Sequence, residues 1–335
     1  MAEIESSGLQ PPFEHPGRAD AIHDALAADD RFDLVEPDVW GTEPISAVHD
    51  AGLVEFLSRA WSDYQLRHPG THDVVPDVFA MPGLLEGIGS FPERSIVDHE
   101  LGRWCFETTT PITEGTFDAA RSAVDIALSA ATAVLGGERA AYGLCRPPGH
   151  HAPTALYGGY CFFNNAAVAA HYVSSTTGSK VTVLDIDYHH GNGTQQIFYR
   201  RDDVQYVSLH GDPARAYPYL SGFASETGAG RGGGTNLNVP LAAGTDDAAY
   251  LATLAHALEA VAAYGPSMVI VSLGVDTFHN DPISDLAITT EGFREQGELV
   301  AQLALPTVVL QEGGYDVAAI GDNVRAFLSG ITSRV

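Results

Sequence analysis

The stretch VLDIDYHHGNGT, residues 183–194, sets Asp185, Asp187, His189, His190 and Asn192 directly behind an apolar run. Asp187 and His189 stand two residues apart where a strand would leave a sheet, so local backbone geometry can turn both side chains toward one point. A carboxylate and an imidazole placed this way could hold a metal ion, form a base with its orienting partner, or close a hydrogen-bonded turn. Comparable residues follow other apolar runs: His150 and His151 after AAYGLCRPPG, Asp276 after SMVIVSLGV, and Tyr315 after LPTVVLQEGG. Asp187, His189 and Asp276 together would leave a coordination position open to water or substrate, which suits a catalytic rather than a structural zinc. An isolated D-x-H pair is more often a turn. A turn, however, does not account for Asp276, the tandem histidines and Tyr315 at other strand ends. Hydrolysis of an amide needs a base to take a proton from the attacking water and an acid to protonate the leaving amine, and one histidine can do both in turn. Asp185 and Asn192 are the partners available to the histidine pair. A carboxylate keeps an imidazole more basic than an amide does, so His150 and His151 are expected to differ in pKa.

For residues as distant in sequence as His150 and Tyr315 to meet, the elements carrying them must end at one edge. β-Branched runs predict strands at KVTVLDID from Lys180, VQYVSLH from Val204, SMVIVSLGVD from Ser267 and LPTVVLQEGG from Leu305. Ala-rich amphipathic stretches predict helices over 117–135, 165–173, 246–264 and 290–303. This alternation reads as an α/β fold: one domain over 1–335, with a mainly parallel sheet flanked by helices on both faces. In such sheets ligands bind outside the carboxyl ends of the strands, so the active site is expected there. Between 73 and 115 the pattern dissolves into Gly, Pro and charge. That segment is expected to be a long ordered loop with a functional part.

Composition narrows the function. The 335 residues are 45% apolar, enough for a sizeable core, yet no uninterrupted apolar run is long enough to cross a membrane. The opening MAEIESSGLQPPFEHPGR has no basic region followed by an apolar stretch, so no secretory signal is expected and the location is expected to be cytoplasmic. Cys105, Cys145 and Cys161 form no CxxC and read as buried reduced thiols. Acidic residues number 43 against 17 basic, giving a net charge of -26, and Lys180 is the only lysine. Such a field repels nucleic acid and anionic membrane and attracts cations. It favours a cationic substrate, although acidity also serves solubility.

The motifs RPPGHHA, GGYCFFNNAAVAA, LDIDYHHGNGTQQIFY, VSLHGDP, SLGVDTFHNDP and EGGY resemble, in this order, those of the arginase-like histone deacetylase superfamily. The resemblance is dense over 140–325. Before that, HPGRADAIHDAL and VHDAGLVEFL are similar to the N-terminal signatures. The Asn in HHGNGT and the stretch HGDPARAYPYLSGFASETGAGRGGGTNLNVP look most like bacterial acetylpolyamine amidohydrolases and class II deacetylases.

This resemblance implies the arginase/deacetylase fold and one catalytic zinc on Asp187, His189 and Asp276. Iron(II) or cobalt(II) would suit the same donors. His151 is implied as general base and acid and His150 as its electrostatic partner, backed by Asn192 and Asp185. Tyr315 is implied as the hydrogen-bond donor to the scissile carbonyl. A structural K+ or Na+ is implied at Asp185, Ser208, Leu209 and the backbone of Asp187 and His189. Tyr160 and Tyr217 are implied to line the substrate channel, at positions where many relatives carry Phe, with Gly159, Ile283 and Gly314 beside them. Ile283 stands where some polyamine-preferring relatives carry a glutamate. The long loop offers Glu93, Asp98, Glu100 and Glu107 for a distal ammonium instead. In acetylpolyamine amidohydrolases an equivalent insertion mediates dimerisation and narrows the entrance. Phe79, Phe91, Trp104 and Phe106 are compatible with such a buried interface, so a homodimer is expected. The expected activity is zinc-dependent removal of acetyl groups from small cationic acetylamines. Class II deacetylation of acetyl-lysine in proteins is the alternative. A dimanganese ureohydrolase would need further carboxylate ligands, and a non-catalytic binding homologue would be expected to have lost a ligand or Tyr315.

Overall fold

Six strands run parallel in one sheet, and four of them are buried along their whole length: β4 (Val181–Asp185), β5 (Val204–Gly211), β7 (Met268–Leu273) and β8 (Thr307–Gln311). The structure is a computed structural model that describes residues 3–5, 8–87 and 96–333. β3 (Ala140–Gly143) and β6 (Asn236–Leu241) close the two edges, giving the order β3-β8-β7-β4-β5-β6. Near-continuous Val, Ile and Leu suit strands covered on both faces, and that is where the apolar runs lie. A separate antiparallel pair, β1 (Glu3–Glu5) and β2 (Gly8–Gln10), precedes them.

Because successive side chains of a strand point to opposite faces, the sheet feeds two cores. Val181, Val183, Val204, Tyr206, Met268, Ile270, Val308 and Leu310 pack into one, with α2 (Glu43–Ser46), α3 (Ala51–Arg67), α5 (Val97–Trp104), α6 (Thr116–Leu135) and α7 (Asn165–Thr177). Leu184, Val207, Leu209, Val269, Val271, Leu273 and Val309 pack into the other, with α1 (Gly17–Ala27), α9 (Asp247–Tyr264), α10 (Thr290–Ala301) and α11 (Ile320–Thr332). The helix predicted over 165–173 runs four residues further to Thr177, where Gly178 ends it at φ +69°. Its start is fixed by Asn164, whose side chain accepts from the Ala167 N–H at 2.9 Å.

The segment 73–115 is more than a loop. Its described residues include α4 (Pro82–Leu85) and α5, and a bridge joins Val74 to Ile112. Trp104, whose aromatic ring was compatible with a subunit interface, is buried in the first core of its own chain, and Phe79 packs against that core. Phe106 packs on Gly158, and Phe91 lies outside the described residues. The large apolar side chains that its described residues expose are Val78, Met81, Leu84 and Ile96. Among the described residues no helix is long and apolar enough to cross a membrane.

His49 ties the start of α3 to the start of α7. The Pro153 carbonyl lies 3.1 Å from its Nδ1, and its Nε2 accepts from the Asn164 N–H at 2.8 Å. A carbonyl can only accept and an amide N–H can only donate, so the ring is neutral with its proton on Nδ1. Burial holds its pKa down at about 4. The folded ring therefore binds fewer protons than the unfolded one between pH 6.5 and 4, and stability is lost as pH falls through that window. The full linkage is about 3 kcal/mol. We expect His49→Gln to flatten the loss of urea stability between pH 6.5 and 4 relative to wild type. An unchanged slope would contradict this role.

Candidate active site

Parallel strands put their carboxyl ends at one edge, and each strand that carries a candidate residue releases it there. β4 ends at Asp185 and the chain then delivers Asp187 and His189. β7 leads to Asp276, β8 to Glu312 and Tyr315, and β3 to His150 and His151. One ligand atom each from Asp187, His189 and Asp276 falls within 4.8 Å of the others, the one such His/Cys/Asp/Glu group among the described residues. His189 Nδ1 stands 3.0 Å from Asp276 Oδ2 and 3.2 Å from Asp187 Oδ1, so Nδ1 is the nitrogen that faces the trio's centre. Backbone N–H groups also donate to both carboxylates. Asp187 accepts from the N–H groups of His189 (2.8 Å) and Gly313 (2.7 Å), and Asp276 accepts from that of Tyr188 (2.8 Å).

Both carboxylates are fully buried, and among the described residues no lysine or arginine pairs with either. Burial, reinforced by the Asp187 charge, raises Asp276 to about 6. Burial also opposes ionisation of Asp187, but the charge on His150 and the hydrogen bond from His189 outweigh it and hold this carboxyl low. Burial works against a charged His189 as well, yet hydrogen bonds to Asp187 and Asp276 raise it to about 9. Two anions and an imidazole converging in a dry site are a donor set that fits one divalent ion. The backbone crowds this trio closely. A Cβ on Gly274 would stand 2.0 Å from Asp187 Oδ2, and one on Gly313 would stand 2.3 Å from Asp276 Oδ2.

The two histidines lie with ring centroids 4.0 Å apart and have different partners. His150 Nδ1 is 3.1 Å from Asp185 Oδ2, and its Nε2 is 3.8 Å from Asp187 Oδ1. Burial disfavours its charge, but the carboxylates of Asp187 and Asp185 prevail and raise it to about 10. His151 Nδ1 is 2.7 Å from Asn192 Oδ1, while Asn192 Nδ2 donates to the His151 carbonyl at 3.2 Å. With the amide so oriented, His151 carries its proton on Nδ1 and leaves Nε2 as a base. Burial, together with the charges of His150 and His189, lowers its pKa well below the usual value. The expected inequality between the pair is present, in the expected direction.

Tyr315 is held from two sides. Its N–H donates to Asp281 at 2.7 Å, and the Arg18 guanidinium lies 4.6 Å from its ring centroid. Buried Arg18 also donates to the carbonyls of Gly314 (2.6 Å) and Glu312 (2.7 Å). Burial keeps the Tyr315 phenol protonated, as a hydrogen-bond donor must be. Glu312 is itself buried, and its carboxylate accepts from the N–H groups of Gly149 (2.6 Å) and His150 (3.1 Å), which fixes the histidine-bearing turn. Arg18, Asp281, Glu312, Gly274 and Gly313 were not singled out from sequence. All five lie within quoted motifs, but the contacts that give them a role are long-range.

A cavity of about 510 Å³ opens onto His151, His189 and Tyr315, and Tyr160, Tyr217, Gly159 and Ile283 line it. Gly314, expected on this wall, does not line it; its carbonyl takes the Arg18 hydrogen bond behind Tyr315. Asp185 pairs in register with Ser208 between β4 and β5, with Leu209 next along. Ser208 Oγ is 2.7 Å from His210 Nδ1, and Asp185 also accepts from Tyr206 Oη at 2.9 Å. Of the loop carboxylates, Asp98 pairs with Arg67 and His68, and Glu100 with Arg59. Glu107 lines the cavity, and Glu93 lies outside the described residues.

The chain is similar to known proteins over nearly its whole length. The family description "Histone deacetylase domain" matches residues 12–331. Acetylpolyamine amidohydrolase 2 of Pseudomonas aeruginosa is 43% identical over 98% of this chain and 94% of its own length. Acetylpolyamine amidohydrolase of Mycoplana ramosa is 40% identical over 98% and 95%. The crystal structure of an acetylpolyamine aminohydrolase from Burkholderia pseudomallei superposes with a TM-score of 0.91 at 38% identity, covering 98% of this chain and 94% of that one.

The crowding at Gly313 has a direct consequence. A methyl group there has to displace a ligand carboxylate, so we expect Gly313→Ala to fold but to bind divalent metal at least tenfold more weakly, as Asp276→Asn also would. Metal content after dialysis against a graded chelator reads this without reference to turnover. Full retention by Gly313→Ala would show that the site tolerates the shift.

Proposed function

From the premise that this chain belongs to the histone deacetylase family, whose members here are hydrolytic deacetylases, we propose that it removes acetyl groups from small cationic amines, acetylpolyamines foremost, with one zinc ion. The observation that carries the reading is the ligand trio flanked by a histidine pair of opposite titration and by Tyr315, all on one cavity.

Zinc held by Asp187, His189 and Asp276 would supply a Lewis acid toward the acetyl carbonyl and acidify water at neutral pH. The chain's own groups carry the proton and charge work. His151, neutral and with Nε2 unprotonated, takes the proton of the attacking water. It then returns that proton to the leaving amine. His150, kept protonated by Asp185, supplies positive charge beside the reacting centre and holds its neighbour neutral. Tyr315 Oη donates to the carbonyl oxygen as negative charge builds there, in a site where burial excludes competing water. Tyr160 and Tyr217 form the aromatic channel that receives the acyl-amine. A monovalent cation on Asp185, Ser208, Leu209 and the backbone of Asp187 and His189 belongs to the same reading, and full burial of the Asp185 carboxylate supports it.

The ureohydrolase alternative is disfavoured, because the one His/Cys/Asp/Glu group among the described residues that could hold a metal has three members, fewer than a two-metal site needs. Three buried free thiols support a reducing, cytoplasmic setting. Exposed Val78, Met81, Leu84 and Ile96 support a homodimer through the inserted segment.

The test is kcat/KM of the zinc-loaded protein on N-acetylputrescine, acetylspermidine and an acetyl-lysine peptide side by side. We expect a strong preference for the acetylpolyamines; equal or better turnover of the peptide would make it a lysine deacetylase. In parallel, Tyr315→Phe should lower kcat about a hundredfold with metal content unchanged. Near wild-type turnover in that variant would remove Tyr315 from the role of oxyanion donor.

A further inference from the structure

The proposed reaction consumes only an acetyl amide, so the far end of the amine is read by the cavity wall alone. Among the described residues that wall holds one lysine or arginine, Arg215. For a chain with 17 basic residues against 43 acidic, acting on cations alone, a guanidinium at this wall is a disadvantage, because it repels them. Its position is nonetheless built. The Asp212 carbonyl accepts from the Arg215 N–H at 2.8 Å, and the Asp212 carboxylate accepts from the Ala214 N–H at 2.9 Å, which fixes the turn that carries it. At the other end, Nη1 donates to Asp285 Oδ2 at 2.5 Å, and Asp285 Oδ1 accepts from the Tyr188 hydroxyl at 3.0 Å. Tyr188 lies between Asp187 and His189 in the chain and lines the same cavity. Through Asp285 and Tyr188, Arg215 is therefore tied to the segment that carries two of the trio.

Asp285 occupies one nitrogen of the fork. Arginine has five N–H donors, so the Nε–Nη2 edge is left over, and two parallel bonds from such an edge match the two oxygens of a carboxylate. The side chain is 43% exposed, so a ligand can reach it. Asp285 is not a competing cation site, since both its oxygens are engaged and its charge is matched by Arg215. Pro282 and Ile283, on the same cavity wall, add no charge of their own.

We infer that Arg215 receives a substrate carboxylate, and that the chain has a second activity beside the one proposed above: deacetylation of free ω-N-acetyl amino acids, Nε-acetyl-lysine among them. The inference rests on the deacetylase reading and adds a substrate class to it. Water cleaves the same amide C–N bond, giving acetate and the free amino acid. An acetyl-lysine inside a protein has no free carboxylate to offer, so Arg215 separates the amino acid from the protein side chain. A purely structural ion pair, which only pins Asp285 and Tyr188, is the rival explanation, and it makes no distinction between substrates.

The experiment compares kcat/KM of the zinc-loaded protein for Nε-acetyl-lysine and for Nε-acetyl-lysinamide at neutral pH, in wild type and in Arg215→Gln. The two substrates share the α-ammonium and differ in the carboxylate. The acidic field of the chain favours the amide, the more cationic of the pair, so a preference for the carboxylate has no general electrostatic cause. We expect wild type to prefer the carboxylate by about tenfold or more, and Arg215→Gln to lower that ratio about tenfold. Free lysine should likewise inhibit turnover of N-acetylputrescine more strongly than lysinamide does in wild type, which decides the matter if Arg215→Gln does not fold. A wild-type ratio at or below one, a ratio unchanged in Arg215→Gln, or turnover of N-acetylputrescine without turnover of Nε-acetyl-lysine overturns the assignment and leaves the deacetylase reading intact. Failure of the zinc-loaded wild type to hydrolyse any of the three amides overturns both.

Discussion

Two carboxylates sharing one dry spot are the constraint on which the rest of this structure depends. Asp187 and Asp276 are fully buried, and like charges at that separation do not coexist without compensation. Three backbone N–H groups, from Tyr188, His189 and Gly313, supply part of it, and His189 supplies more. The remainder is a demand for a cation. Meeting the demand requires main chain to pass close to the oxygens, hence glycine at 274 and 313, and it requires β4, β7 and β8 to end at the same height. A parallel sheet provides that alignment because every carboxyl end lies at one edge.

The same logic makes two adjacent residues of identical type chemically different. His150 sits over carboxylates and holds a proton, whereas His151 sits over an amide oxygen and beside charged imidazoles and does not. A divalent ion on the trio would offset the Asp187 charge that His150 feels, while Asp185 would remain as its partner. The placement of Tyr315 comes from other parts of the chain. Asp281 fixes its backbone, and Arg18 both underlies its ring and ties down the neighbouring carbonyls. Arg18 is in turn anchored by Glu14, which also takes Arg146. The outer wall follows the same pattern of pinned loops. Asp285 joins Arg215 to Tyr188 Oη, and Glu107 joins the 107–110 turn to Gly159.

The sequence by itself determined the four central strands, because β-branched runs covered on both faces have no other economical conformation. It also carried the types and order of the candidate ligand residues and the charge difference between Asp185 and Asn192 from which an unequal histidine pair was expected, while the fold decided which histidine each of them meets. It did not reveal β3, too short and Gly-bounded to show a period, or β6, whose NLNVPL mixes amide, Pro and aliphatic residues. The aromatic content of 73–115 announced burial but not what would do the burying, so Trp104 turned up in its own core. Only the tertiary structure decided which loop carboxylate faces the cavity, that Gly314 stands behind Tyr315, and that Arg18 meets Gly314 across 296 positions. Periodicity and residue type act over a few neighbours. Contacts like these depend on how the sheet closes its order, and no local pattern carries that information.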